Sequence, residues 1–214
     1  MKIISTNIGT SQIISWRGKK VKTGIFKYPV NEPVYLDIED VKNDHVMDRR
    51  FHGGVDKACY LYAADHYPFW KNKYPDLEWN YGMFGENLTV LGLDERLMKI
   101  GSIYRLGDAI VQVSQPRQPC YKLGVRFGTQ KVLKEFINSL FPGIYVRVLS
   151  AGYVRKGDIL TIEKEHIEGL SINQMYRLLY DQTSHPEWAK RALNDPFVVE
   201  NNKEVINKRY KKII

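Results

Sequence analysis

Short alternating segments dominate the first three-quarters of the chain. Val21-Lys-Thr-Gly-Ile-Phe26, Val34-Tyr-Leu-Asp-Ile38, Ala58-Cys-Tyr-Leu-Tyr62 and Asn87-Leu-Thr-Val-Leu91 are each of strand length. All are rich in β-branched or aromatic residues and bounded by Gly, Pro, Asn or Asp, the composition of strands closed by turns. Residues 105–113 and 155–162 share a design in which Gly-Asp turns the chain ahead of an alternating strand. Ile144-Tyr-Val-Arg-Val-Leu149 also alternates, which places Arg147 on one face with Tyr145 and Leu149. Met1-Lys-Ile-Ile-Ser-Thr6 reads as a strand from the outset.

Helical periodicity interrupts this pattern at residues 65–73, ending near Pro75, and at 129–140. In the second segment Val132, Leu133, Phe136, Ile137 and Leu140 share a face. After about residue 166 the period changes for good. Ile172, Met175, Tyr176 and Leu179 form a helical stripe behind a capping box of Ser171 and Gln174. Ser184 and Glu187 repeat that signal ahead of Trp188. Asp195-Pro196 opens a third segment with Val205, Ile206 and Tyr210 on its later apolar face. Many short strands and few helices predict a mainly β fold, a barrel over residues 1–166. Three short helices over 167–214 cannot bury much surface alone, so they are expected to pack on the barrel or on a second subunit.

Composition narrows the function classes. At 43% hydrophobic and 26% charged residues, the chain matches ordinary folded proteins. No run of eighteen apolar residues suits a bilayer, and the first residues do not read as a signal peptide, so the expected address is the cytoplasm and no membrane partner is expected. The 32 Lys and Arg outnumber the 24 Asp and Glu, a net charge of +8 that favours anionic partners without naming them. Lys203, Lys208, Arg209, Lys211 and Lys212 are read as a solvated helix face. Cys59 and Cys120 lack Cys-x-x-Cys spacing, which fits a reducing compartment and argues against a thiolate zinc site.

Four segments concentrate special residues. Ser114-Gln-Pro-Arg-Gln-Pro-Cys120-Tyr-Lys-Leu123 has two prolines that stiffen the backbone and end the preceding strand. Arg117 and Lys122 bring cations near Cys120 in sequence, and cations favour the thiolate, the form that attacks electrophiles and binds metals. The bland alternative is a buried structural cysteine in a turn; Cys59 differs, lying mid-strand among Ala58, Tyr60 and Leu61, and reads as core. Asp48-Arg-Arg-Phe-His-Gly-Gly-Val-Asp-Lys57 offers Arg49, Arg50 and Lys57 to a phosphate, with His52 able to donate or move a proton; it also reads as a charged turn. Tyr81-Gly-Met-Phe-Gly-Glu-Asn-Leu88 could present Glu86 and Asn87 to a pocket or simply cap a strand. Lys22-Thr23-Gly24 would suit a phosphate. Phosphate-loop, dinucleotide, zinc-protease and serine-elbow motifs are absent, and the five histidines lack metal-ligand spacing.

Together and in this order, these segments resemble the MOSC-domain family, named for the C-terminal domain of molybdenum cofactor sulfurase, and most closely its bacterial YiiM type. Lys22-Thr-Gly-Ile25, His52-Gly-Gly54, Asp56-Lys57-Ala58, Phe84-Gly-Glu-Asn-Leu88 and the Cys120 segment carry the likeness, continued by Gly143-Ile-Tyr-Val-Arg147 and Gly157-Asp158. The resemblance implies a fold like the barrel domain of pyruvate kinase with an appended three-helix tail. It implies a molybdenum cofactor (molybdopterin) with Cys120 as thiolate ligand to the metal. By position, Lys22 and Thr23 would bind the cofactor phosphate with Arg49 or Arg50 assisting, while His52, Asn87 and Arg117 would line the pocket. The implied reaction is reduction of small N-hydroxylated bases or amidoximes, with His52 as the acid and electrons from a separate reductase. With two cysteines, the chain cannot supply four thiolates to an iron–sulfur cluster. A weaker family association is pyridoxal phosphate binding. Ser102 stands where many relatives carry Asp, a change expected to touch a turn.

Two other readings stay open. Cys120 could carry a persulfide for metal–sulfur assembly, or the basic surface could make a non-catalytic binding module. Nucleic acid is disfavoured as its partner, since no array of aromatics interleaved with Lys and Arg marks a stacking platform. A homodimer is expected if Trp188 or Phe197 is exposed.

Overall fold

A computed structural model describes residues 1–45, 53–181, 183 and 185–211. The first strands are β1 (Lys2–Gly9), β2 (Gln12–Trp16), β3 (Lys19–Thr23), β4 (Lys27–Val30), β5 (Val34–Leu36) and β6 (Cys59–Ala63). Helix α1 (Tyr67–Lys73) precedes β7 (Leu88–Leu91), β8 (Ile103–Leu106) and β9 (Ala109–Pro116). Next come α2 (Tyr121–Arg126) and α3 (Lys131–Ser139), then β10 (Ile144–Ser150), β11 (Gly152–Val154) and β12 (Leu160–Lys164). The chain closes with α4 (Ile172–Tyr180), α5 (Pro186–Asn194) and α6 (Glu200–Tyr210). No helix among the described residues is long and apolar enough to cross a membrane.

Eight strands form one sheet in the order β12-β8-β9-β10-β6-β7-β1-β4, antiparallel except for the parallel pair β6–β7. The expected mainly β barrel is not what forms. The sheet is open: β12 and β4 stand at its two ends and no ladder joins them among the described residues. An isolated bridge between Lys2 and Ile159 is the approach from β1. With several helices packed on it, the fold is mixed α/β. Alternation along a strand records which face is buried, but not what buries it or whether the last strand meets the first. Helix α2 was also invisible to periodicity, because it is a single short turn-and-a-half behind the Pro116–Pro119 loop.

Strand β6 shows how the layers arise. All five of its residues are buried. Cys59, Leu61 and Ala63 face the main core, whereas Tyr60 and Tyr62 point into a separate aromatic layer with Trp70, Phe84, Phe127 and Phe136. A strand covered on both faces must have apolar side chains at every position, which is what 58–62 supplies. The aromatic layer is tightly made: the Tyr62 and Phe84 rings stack at 4.1 Å, and Trp70 Nε1 donates to Tyr62 Oη at 2.8 Å.

The C-terminal helices share the main core. Ile172, Met175 and Leu178 of α4, Ala189 and Ala192 of α5, and Ile206 and Tyr210 of α6 pack in one cluster with Val111, Val113, Val146 and Val148 of the sheet. The Ser171–Gln174 capping box forms in both directions, at 2.9 and 3.1 Å. Ser184 lies outside the described residues, and α5 starts behind His185 with Pro186 in its first turn. Trp188 and Phe197 pack half-buried against this core, so neither supplies the exposed patch on which a homodimer was expected. Val205 departs from the expected apolar face of α6 and stays 41% exposed. Ser102 is fully buried, and its Oγ accepts the His166 amide at 3.0 Å.

Candidate functional site

The site begins where β9 stops. Pro116 is its last residue, and 117–120 run irregularly to Cys120, which caps α2 with extended backbone angles (φ −125°, ψ 166°) and keeps its thiol partly exposed. Ser114, Gln118 and Tyr121 hold this loop. Ser114 Oγ lies 2.7 Å from the Asp56 carbonyl and 2.9 Å from that of Tyr145. The Gln118 amide donates to Asn202 Oδ1 at 3.2 Å and accepts from Tyr180 Oη at 3.3 Å. Tyr121 stacks on Trp16 at 4.7 Å, bringing the β2–β3 hairpin against α2.

Cys120 opens into a small cavity of about 70 Å³ that continues into open solvent. Its walls come from the end of β3 (Thr23, Gly24, Ile25), the start of β4 (Lys27), the 44–45 segment, the turn bearing Lys57, Tyr60 of β6, Gly85 and Asn87, Arg117 and Tyr145. Two glycines permit the wall. A Cβ on Gly24 would sit 1.7 Å from the His45 carbonyl oxygen, and one on Gly85 (φ +78°) would meet the Ile25 side chain at 2.8 Å.

Charge decides what the cavity can hold. Lys27 is neutralised: it pairs with Asp44, whose carboxylate also accepts the Gly9 amide at 2.9 Å and Asn87 Nδ2 at 2.9 Å. Arg117 is not. It is 4% exposed, its Nη1 has no hydrogen-bond partner, and no carboxylate pairs with it among the described residues. Its guanidinium lies 5.3 Å from the Tyr60 ring and 5.4 Å from the Phe136 ring, which fix its plane. Burial works against this charge, but Tyr60, Tyr145, Cys120 and Tyr176 around it hold the pKa above the ordinary value, so it stays cationic. An unpaired buried ion costs several kcal/mol, of the order of a whole domain's margin, so such a group is retained where an anion completes it. Burial also pushes the Lys57 ammonium below its ordinary pKa, partly offset by Asp56.

A family model described as "MOSC domain" matches residues 48–161. The uncharacterized protein YflK of Bacillus subtilis is 38% identical over 199 residues, spanning 93% of this chain and 90% of that protein. The crystal structure of YiiM from Geobacillus stearothermophilus superposes with a TM-score of 0.80 at 31% identity, covering 97% of this chain and 98% of that one. The chain belongs to the MOSC-domain family, in its YiiM type. A protein of Gibberella moniliformis named "Reductase" is 33% identical over 166 residues, or 76% of this chain but 29% of that longer protein. Membership in the MOSC family is consistent with an enzymatic, redox-related role. Among the described residues, no three His, Cys, Asp or Glu side chains gather as a metal site.

Of the residues expected at the MOSC site, Cys120, Thr23, Asn87 and Arg117 line one cavity. Thr23 is buried, and its Oγ1 accepts the Ile25 amide at 3.2 Å, leaving the hydroxyl proton available. Asn87 is fully engaged: besides Asp44, it accepts the Tyr60 amide at 3.2 Å, so it braces the wall. Lys22 is exposed on the face of β3 opposite Thr23 and does not line the cavity. His52, Arg49 and Arg50 lie outside the described residues. No described feature supports pyridoxal phosphate. Sequence reasoning passed over Lys27, Asp44, Tyr60 and Tyr145. The alternation of 144–149 could have found Tyr145, since it faces away from Ile144 and Val146; Asp44 and Lys27 carry no local signal. Cys59 is fully buried, and burial pushes its thiol far up in pKa, as a core cysteine.

Proposed function

We propose that this cavity binds an anionic molybdenum cofactor with the Cys120 thiolate as metal ligand, and that the protein reduces small N-hydroxylated bases or amidoximes in a reducing compartment such as the cytoplasm. The observation that carries the reading is the buried Arg117 guanidinium, which has no carboxylate partner among the described residues and an unsatisfied Nη1, in the same cavity as a partly exposed thiol. The orphaned Nη1 and the glycine-lined wall fit a phosphorylated, oxygen-rich group. Arg117, the Thr23 hydroxyl and Lys57 would hold its anionic parts. When bound, such a group supplies two-electron oxygen-atom transfer. A relative named "Reductase" and the family itself agree with that chemistry.

The balance is simple. The N–O bond of an N-hydroxylated substrate breaks, two electrons arrive from a separate reductase, and two protons convert the oxygen to water and leave the amine or amidine. The chain's own part is to orient the substrate and deliver protons. Cys120 would hold the metal, Asn87 and Asp44 keep the wall rigid, and Lys57, which lines the cavity, would donate a proton. Protein purified from cells that make the cofactor should contain molybdenum, and Cys120→Ser should lose most of it. Equal, near-zero metal in both would sink the proposal.

A further inference from the structure

We propose that the β2–β3 hairpin is the seat of the electron-donating protein, and that this donor presents an acidic surface around its exposed redox group. The inference rests on the reading that electrons reach the Cys120 site from a separate protein, and it names the surface that receives that protein.

Charge is unevenly spread along the chain. Residues 1–31 carry Lys2, Arg17, Lys19, Lys20, Lys22 and Lys27 and no Asp or Glu. Lys27 is cancelled by Asp44. Arg17, Lys19, Lys20 and Lys22 are all exposed on the hairpin, and none of them pairs with a carboxylate among the described residues. The hairpin is a two-stranded sheet of its own, apart from the eight-stranded one. Its register sets Ile13 opposite Lys22 and Ser15 opposite Lys20, so these side chains share one face. On that face Ile13 is 64% exposed. An apolar anchor beside uncompensated cations suits the acidic surface of another protein. The tip is built in the same sense. Arg17 (φ 49°) and Gly18 (φ 74°) take the left-handed angles of a type I′ turn, and Arg stands where Asn, Asp or Gly would be less strained.

Position selects the partner. Trp16 stacks at 4.7 Å on Tyr121, the residue after Cys120, and β3 ends at Thr23 in the cavity wall. A protein seated on the hairpin therefore lies beside the thiol. Electron tunnelling falls steeply with distance, so a donor must seat close to the site. Each N–O bond reduced takes two electrons and two protons. A one-electron donor docks twice and is oxidised each time, with the protons drawn from solvent. Nucleic acid fits the hairpin less well, because the Trp16 ring is engaged by Tyr121 and by Arg17 at 5.6 Å instead of free for a base. Ile13 alone is too little apolar surface to hold a bilayer.

Binding is measured by interferometry on the full-length protein, with flavodoxin, a small acidic flavin protein, as the probe. Wild-type affinity should fall about tenfold or more between about 0.02 and 0.3 M salt. Lys19→Glu/Lys20→Glu should weaken binding about tenfold at low salt. Lys156→Glu/Lys164→Glu makes the same change in net charge beyond the opposite end of β1, where Gly157 and Leu160 bond Ile3 and Met1, and should stay within about twofold of wild type. Ile13→Ala should cost about fivefold and keep the salt dependence. No binding by the wild type, or equal losses from the two charge-reversed pairs, would overturn the proposal. Tighter binding to duplex DNA or to phosphatidylserine vesicles than to flavodoxin would overturn it too. In cofactor-loaded protein, N-hydroxyurea reduction driven by reduced flavodoxin should fall about tenfold in Lys19→Glu/Lys20→Glu. Reduction driven by photoreduced riboflavin, the same ring system without a protein, should stay within about twofold, since no docking face is needed. Equal falls with both donors would count against the hairpin. If riboflavin supports no turnover in the wild type, the proposed reaction fails while the binding comparison still judges the docking surface.

Discussion

Arg117 and Lys57 are held in the folded protein in states that water would not choose, and each makes a prediction. Arg117→Met replaces an unpaired buried cation by an apolar chain that can lie between Tyr60 and Phe136. Removing such a charge is often neutral or stabilising. Thermal unfolding should therefore occur at the same or a higher temperature, while calorimetric sulfate binding weakens by about 1.5–3 kcal/mol, the worth of a charged hydrogen bond. A protein destabilised without loss of sulfate affinity would show Arg117 to be structural. For Lys57, burial lowers the folded-state pKa with Asp56 opposing. The folded state then binds this proton more weakly than the unfolded chain. Lys57 therefore detracts from stability below its folded pKa, and the deficit fades as pH rises toward the ordinary lysine value. A bound anion reverses that preference. Sulfate affinity should fall as pH rises through the window just below the ordinary lysine pKa, and Lys57→Met should flatten the profile. Cys120, Lys122 and Tyr145, which face the same cleft, remain in the variant as the internal control.

At the scale of elements, the site depends on loops that are locked by buried polar groups. The turn between α1 and β7 folds around Glu86, which is fully buried. Its carboxylate accepts the Gly82 amide at 2.9 Å, the Phe84 amide at 3.1 Å and the Thr89 hydroxyl at 2.9 Å, and it meets the Tyr67 hydroxyl. Burial raises its pKa, and these donors pull it back. Glu86→Ala would strand several buried donors at once, so urea unfolding should report a loss of about 3 kcal/mol or more. The turn delivers Gly85 and Asn87 to the cavity wall, so the damage should reach sulfate binding as well. Arg147 plays a similar part, bonding Asp56 at 2.6 Å, Gln112 at 3.0 Å and the Phe197 carbonyl at 3.0 Å, which ties the turn bearing Lys57 to the loop between α5 and α6.

For the molecule as a whole, the helical tail and the sheet share one apolar cluster. Elements that bury each other's surface unfold together. Native-state hydrogen exchange should accordingly give the amides of Leu178 and Leu179 in α4 the same opening free energy as those of Val111 and Val146 in β9 and β10. Early exchange confined to residues 172–210 would mark the tail as a separate unit. The shared core also brings Asn201 and Val205 of α6 to a cleft beside Cys120.

Much of this was legible along the chain. Period-two stretches located β7 and β10, a strand-length apolar run located β6, period-3.6 stripes located α3 and α4, and the Ser171 capping box marked its helix to the residue, because these signals act between neighbours. The proline-stiffened loop marked Cys120 as the candidate thiol for the same reason, and the order of several such segments identified the family. Closure of the sheet was not legible, since alternation looks alike in an open sheet and a barrel. Nor was the charge balance of the cavity. Lys27 is cancelled by Asp44, Lys22 turns outward beside Thr23, and Arg117 has no carboxylate partner among the described residues; residues brought together by topology decide such pairings. Asn201 and Val205 lie more than eighty positions from Cys120 by sequence number, a juxtaposition that packing of the tail on the sheet creates.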